Sequence, residues 1–337
     1  MTRVAVVGHV EWVDFVPVER FPTPGEIIHA HGAFARAAGG GGVVAVVLAE
    51  MGADVDFYCA LGRDELGRAA AAQLTDRGVR VHVAWREEPT RRAVTLLDPN
   101  HERTIITMGD RLQPLASDPL EWDRLRGADG VYMTAGDPGA MEHARQARVL
   151  VASPRARSAL GKEGPVIDAL VYSAGDAGER EWAARVAHRV RLHVATEGAR
   201  GGRWWGESEG RWSAAPPPGK PRDAYGCGDS FAAGVTFALA AGSSMADAAA
   251  LGAQCGARCL TRADWPGGAF QLRRARTSAP SSSSALQRSR SAFHEQRRRG
   301  VCSCSRWLLR VSRQRGRSIC RSRCRAARHC RCPTPLT

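Results

Sequence analysis

Through most of the chain, short apolar runs alternate with stretches whose apolar residues recur at helical spacing. Residues 4–7, 54–60, 79–85, 93–97, 131–134, 149–152, 167–171 and 192–195 read as strands. Several are apolar at every position, as strands buried on both faces are. Helical spacing marks 43–51, closed by Gly52, then 176–190, 231–241 and 245–260, and a run of alanines after Gly67 continues the pattern. Turns fall where Gly, Pro and Asp cluster, at 21–26, 62–67 and 98–100, and the segment from Ile27 reads as extended. Strand–helix alternation of this kind predicts an α/β protein with a mainly parallel sheet and helices on both faces. Ligands of such sheets gather at the carboxyl ends of the strands. Asp137, Arg155, Ser173 with Asp176, and Thr196-Glu197-Gly198 stand at those positions.

One stretch carries more chemistry than the rest. A proline-rich loop, 216–221, leads into Asp223-Ala224-Tyr225-Gly226-Cys227-Gly228-Asp229, and the helical run follows at once. Two glycines framing a small residue let successive N–H groups converge on one point, and the helix adds its positive end. The result is an anion hole. Asp229, in the first turn, sets a carboxylate beside it, where a bound hydroxyl could lose its proton while attacking a phosphoryl group. The same spacing also suits a plain tight turn whose acid complements the helix dipole. A second cluster, Gly39-Gly40-Gly41-Gly42, precedes the helical run 43–51 and suits either close backbone approach to a ligand or a flexible hinge. The two commonest nucleotide fingerprints are missing: Gly8 is not continued by a second spaced glycine, and Gly161-Lys162 and Gly219-Lys220 run into Glu163 and Pro221.

The string from Asp223 to Gly234 resembles the signature of the ribokinase-like (PfkB) family of carbohydrate kinases, Asp-Thr-x-Gly-Ala-Gly-Asp-x-Phe-x-x-Gly, departing only at Ala224 and Cys227. Further stretches are similar to family segments. Pro22-Thr23-Pro24-Gly25-Glu26 resembles the turn into a β lid, Gly62 to Gly67 a Gly-x-Asp-x-x-Gly turn, and Glu102-Arg103-Thr104 a lid hairpin. Thr196-Glu197-Gly198-Ala199-Arg200-Gly201 resembles a nucleotide-binding turn. The likeness covers roughly residues 1–272. It implies a three-layer ribokinase-like fold with a small β lid built from about 9–36 and 91–107. It implies Asp229 as catalytic base, the backbone of Gly226, Cys227 and Gly228 as anion hole, and Asp223, Thr196, Gly198 and Gly201 at the nucleotide. ATP and Mg²⁺ are the implied cofactors, a sugar or related polyol the acceptor, and a homodimer through the lid a compatible assembly. Gly39, Gly40, Gly41 and Gly42, with Glu11 or Asp14, stand where the acceptor would bind. Val13 occupies the place of the family's sugar-binding Asp, Val43 that of its Asn, and Ser173 and Asp176 those of an Asn-x-x-Glu pair linked to magnesium and phosphate. No metal-ligand set is assigned.

Charge then divides the chain. The net charge of +14 arises at the end: residues 273–337 hold 18 Arg and a single acid, Glu295, leaving 30 basic and 33 acidic residues before them. Cys59, Cys227, Cys255 and Cys259 are scattered through the body, which suits reduced, buried thiols better than a disulfide framework. The remaining six cysteines lie in the Arg/Ser/Cys-rich tail, which reads as disordered, as a nucleic-acid arm, or as a displaced reading frame. Cys320, Cys324, His329, Cys330 and Cys332 lack the paired spacing of a zinc site. No apolar run is long enough to cross a membrane, and the opening residues read as a strand rather than a leader, so a cytoplasmic location is the default expectation. The sequence therefore predicts an ATP-dependent kinase acting on a hydroxyl of a small molecule. The alternatives are a catalytically silent sugar-binding or regulatory protein on the same scaffold, and nucleic-acid binding through the tail.

Overall fold

The computed structural model describes residues 1–30, 32–99 and 103–262. The tail at 273–337, and His101 and Glu102 of the expected hairpin, lie outside the described residues. The chain opens with β1 (Arg3–Val7), β2 (Glu11–Pro17) and β3 (Phe34–Ala38), which feeds directly into α1 (Gly39–Glu50). Next come β4 (Asp54–Gly62), α2 (Glu65–Asp76), β5 (Val79–Arg86), β6 (Arg92–Leu97), β7 (Arg103–Met108), β8 (Gly130–Met133) and α3 (Pro138–Ala144). Then follow β9 (Val149–Ala152), β10 (Ile167–Ser173), α4 (Ala177–Arg185), β11 (Val190–Thr196), β12 (Gly202–Gly206), β13 (Gly210–Trp212), α5 (Cys227–Ala240) and α6 (Met245–Cys259).

These elements form two sheets. The large one runs β13-β12-β11-β10-β9-β8-β1-β4-β5, parallel throughout except at β12 and β13. Its strands are apolar on both faces because each face has its own core. In β1, Val4 and Val6 enter one core with α1, α2, α5 and α6, while Ala5 and Val7 enter the other with α3 and α4. The period of two thus splits one strand between two layers of helix, and the fold is a three-layer α/β sandwich. The small sheet runs β3-β2-β6-β7. In β2, Glu11, Val13 and Phe15 are buried while Trp12, Asp14 and Val16 are more exposed, so its two faces differ.

Several elements depart from the sequence reading. β2, β3, β7 and α3 are additional, and the segment from Ile27 becomes a strand only at Phe34. The helix expected over 176–190 stops at Arg185 and ends in a short 3₁₀ turn, Ala187–Arg189. The four glycines 39–42 form the first turn of α1 instead of a loop before it. They are there for contact. A methyl on Gly41 would meet the His9 carbonyl oxygen at 2.7 Å, and one on Gly40 would meet Asp229.

Candidate active site

Gly226 adopts a left-handed conformation (φ +76°), which a residue with a Cβ takes only at a cost, and turns the chain into α5. Cys227, Gly228 and Asp229 then form the first helical turn. Ser230 N–H bonds back to the Gly226 carbonyl at 2.8 Å, whereas the N–H groups of Gly228 and Asp229 have no backbone acceptor among the described residues. They open on a cleft of about 490 Å³ whose walls include the carboxyl ends of β10 and β11 and the small-sheet strand β7. That size suits a nucleotide and a small acceptor. Beneath the turn, Val43 packs against Gly226: a methyl on Gly226 would lie 3.2 Å from Val43 Cγ1. Val43 is therefore core, fully buried, and offers no polar group to a ligand.

Asp229 is half-buried in the cleft wall. Burial raises its carboxyl above the ordinary range, against the opposing pull of the Arg155 guanidinium. Arg155 is in turn held in its charged form chiefly by Asp229 and by Glu179. Its Nε donates to Glu179 Oε1 at 2.9 Å, while Glu179 Oε2 accepts the Ser173 N–H at 2.8 Å. Asp176 starts α4 by accepting the Glu179 N–H at 3.0 Å, which fixes Glu179 under the arginine. Arginine and aspartate so arranged can bind a phosphoryl group and deprotonate its attacker.

Another wall of the cleft is made by His9, Glu11 and the start of α1. Arg111 Nη2 donates to His9 Nδ1 at 2.6 Å and to the Thr134 carbonyl at 2.8 Å, and its Nη1 to the Arg155 carbonyl at 2.9 Å. Burial first, then Arg111, keep His9 well below the usual imidazole range, so it is neutral, and on the other side of the ring Nε2 faces the Gly40 N–H at 3.4 Å. Burial likewise raises Glu11, opposed by Arg91, whose Nε lies 3.3 Å from Glu11 Oε2. Tyr225 completes this wall: its hydroxyl accepts the Gly39 N–H at 3.2 Å and its ring packs edge-on to Phe15.

Of the residues singled out in the sequence, the cleft gathers Asp229, Gly226, Cys227, Gly228, Glu11, Gly39, Gly40, Thr196 and Gly198. Others lie elsewhere. Asp14 is on the opposite face of β2 from Glu11 and pairs with Arg92 at 3.0 Å, so of the two acids only Glu11 lines the cleft. Gly41 and Gly42 pack against His9 and Val10 in the interior. Gly201 closes the turn after β11, its carbonyl accepting the Glu197 N–H at 2.7 Å. Asp223 accepts the Tyr225 N–H at 2.7 Å and borders a separate hollow with Val18, Phe34 and Leu97. His9, Tyr225, Arg111 and Glu179 were not singled out by sequence. His9 follows β1 and Arg111 follows β7, while Glu179 lies in α4 and Tyr225 just before α5, so only the fold brings them together.

The donor set bears on magnesium. No group of three His, Cys, Asp or Glu suited to an ion occurs among the described residues, and Glu179 has both oxygens engaged. The remaining oxygen of Asp176 and the carboxylate of Asp229 fit an ion that arrives on phosphates and keeps most of its water, as Mg²⁺ does.

The geometry defines an α/β kinase scaffold whose helix N-terminus faces a nucleotide-sized cleft. A family model described as pfkB family carbohydrate kinase matches residues 1–157 and 167–264, and the chain belongs to that family. It is 33% identical over 108 residues to a ribokinase of Arabidopsis thaliana, a stretch that is 31% of this chain and 28% of that protein's length. In three dimensions it is similar to Arabidopsis thaliana ribokinase solved with ribose and ATP (TM-score 0.62, 21% identity, 80% of this chain and 95% of that one). It is also similar to a microbiome-derived acarbose kinase (TM-score 0.65, 23% identity, 77% and 93%) and to the ribokinase of Thermotoga maritima (TM-score 0.62, 18% identity, 80% and 95%). The fold is the ribokinase fold. Among the described residues no helix is long and apolar enough to cross a membrane.

Proposed function

We propose that this protein transfers the γ-phosphoryl group of ATP to a hydroxyl of a polyhydroxylated small molecule. The observation that carries the reading is Asp229, a carboxylate raised by burial, in the first turn of a helix whose N–H groups open on the cleft. The acceptor hydroxyl donates a hydrogen bond to Asp229 and gives up its proton as its oxygen attacks phosphorus. The bond to the bridging oxygen breaks, and ADP leaves. The Gly226–Gly228 turn, through the free N–H groups of Gly228 and Asp229, and the Arg155 guanidinium face the charge on the transferring group. Asp176 and Asp229 would hold a magnesium ion carried in on the phosphates, which would supply further charge neutralisation there.

Thr196 and Gly198, at the end of β11, lie on the nucleotide side; Glu11, Gly39, Gly40 and the His9 ring lie on the acceptor side. That an Arabidopsis ribokinase of the same fold was solved with ribose and ATP supports this division. A silent binding protein is the second reading, favoured by Val13 and Val43, both fully buried where family members carry polar groups. Coupled detection of ADP across a panel of sugars, polyols and nucleosides separates the two. Acceptor-dependent ADP formation supports the kinase; saturable acceptor binding with no ADP formed from any compound supports the silent protein.

A further inference from the structure

Cys227 has a neighbour that neither the cleft chemistry nor core packing requires. α5 and α6 pack at backbone distance: a methyl on Gly234 would meet Gly252 Cα at 2.8 Å. The last turns of α6 therefore lie along the first turn of α5, and a methyl on Gly256 would sit 3.3 Å from the Cys227 carbonyl oxygen. One turn beyond Gly256, Cys259 points its sulfur back at the anion hole. Its Sγ lies 3.1 Å from the Tyr225 carbonyl oxygen, a methyl on Gly226, the residue before Cys227, would lie 3.8 Å from that sulfur, and the two thiols perturb each other's ionisation. Cys259 is buried, whereas Cys227 lines the cleft and is partly open to small solutes. Cys255, by contrast, faces Met51 at 3.6 Å.

We propose that Cys227 and Cys259 are a reversible oxidation site whose disulfide closes the anion hole to phosphate. The oxidant is hydrogen peroxide. One thiol attacks the peroxide, its sulfur losing two electrons to the O–O bond, and becomes a sulfenic acid as one water leaves. The other thiol displaces the sulfenic hydroxyl, releasing a second water and forming the S–S bond. Two thiols and one peroxide thus give a disulfide and two waters. Forming a bond of about 2.05 Å between the two sulfurs draws the first turn of α5 towards α6. The free N–H groups of Gly228 and Asp229 turn with it, and the target of those donors is lost. Dithiothreitol reverses the step. In a reducing compartment the pair rests as thiols, and disulfides there are regulatory more often than structural.

The inference rests on the kinase reading for its effect on turnover, but not for the bond itself. The full chain is treated with hydrogen peroxide, free thiols are blocked, and cross-linked peptides are mapped by mass spectrometry, alongside nucleotide affinity and turnover. The expected result is a Cys227–Cys259 peptide, loss of nucleotide affinity, and turnover reduced about 100-fold, as when an oxyanion donor is misplaced. Reduction restores all three. Cys259→Ala should keep basal turnover and resist peroxide, while Cys255→Ala should respond as the native chain does. Absence of the Cys227–Cys259 peptide, or its formation with nucleotide affinity unchanged, overturns the proposal. Equal peroxide sensitivity of Cys259→Ala overturns it too. If that variant does not fold, the mapped bond and its reversal in the native chain still decide. If the bond and the affinity loss occur in a protein that phosphorylates nothing, the kinase reading fails and the oxidation site stands.

Discussion

A methyl group on Gly40 would sit 3.0 Å from Asp229 Oδ1, so the first turn of α1 and the first turn of α5 meet directly at the carboxylate. Neither turn places the carboxylate alone. Gly40→Ala should displace Asp229 and lower kcat by about 100-fold, the cost of sub-ångström misplacement in a reacting geometry. Its melting temperature should change little, because the helical gain of alanine over glycine, roughly 0.5–1 kcal/mol, offsets the crowding. Unchanged kcat would show that this contact does not position the base.

The pH dependence follows from the same carboxylate. Burial raises Asp229, and Arg155 pulls it back down. A base must be ionised, so kcat/KM should fall with unit slope as pH drops through that raised value, above the ordinary aspartate range near 3.9. Removing the guanidinium removes the pull. Arg155→Gln should therefore shift the acid limb to higher pH, whatever it does to the maximum rate. An acid limb that stays in place, or moves to lower pH, contradicts this coupling.

Much of this was legible in the sequence, for reasons that differ by element. The strands of the large sheet were plain because both faces are buried, so apolar runs such as 4–7 carry the signal without needing a period. Asp229 and its glycines were plain because they are contiguous. β2 was hidden: its sequence, Glu-Trp-Val-Asp-Phe-Val-Pro, puts an acid and apolar groups on both faces, and the period of two cancels. The choice between Glu11 and Asp14 was equally closed to sequence, since only the register with β6 tells which face meets the cleft. His9 and Glu179 could not have been found at all. Each acts through a partner far along the chain, Arg111 for one and Arg155 for the other.

Asp64 tests the scaffold apart from the chemistry. It starts α2 by accepting the Gly67 N–H at 2.7 Å, and accepts the Thr90 N–H and hydroxyl at 2.7 Å each, just before β6. Those bonds hold its carboxyl below the usual range. Its stabilisation is therefore present above the unfolded value near 3.9 and lost as pH falls through the lower folded value. Asp64→Ala should lower stability at neutral pH by about 1–3 kcal/mol, from the lost cap and the unpaired Thr90 groups. Denaturant unfolding measures it; a change below the error of the midpoint would refute the assignment.

On the acceptor side, Glu11→Gln should raise the acceptor KM by about tenfold and leave the nucleotide KM within a factor of two, the split expected when one charged hydrogen bond to an acceptor hydroxyl is weakened. Val13 is buried with Phe15, Ala38 and Ala93 behind the cleft lining, so it offers an acceptor no hydrogen bond. An acceptor panel ranked by kcat/KM should accordingly not place ribose first. A nucleotide KM that rises with the acceptor KM would assign Glu11 elsewhere.

The central claim is that Asp229 takes the acceptor's proton. Asparagine keeps the shape and can still accept a hydrogen bond, but cannot take a proton at neutral pH. Measured on Asp229→Asn, kcat should fall by about 10²–10⁴-fold, while nucleotide affinity and melting temperature stay close to those of the native chain. A helix-terminal charge without a role in the chemistry behaves oppositely: its loss costs about 0.3–1 kcal/mol of stability and leaves the rate alone. Unchanged kcat with a lowered melting temperature would contradict the account.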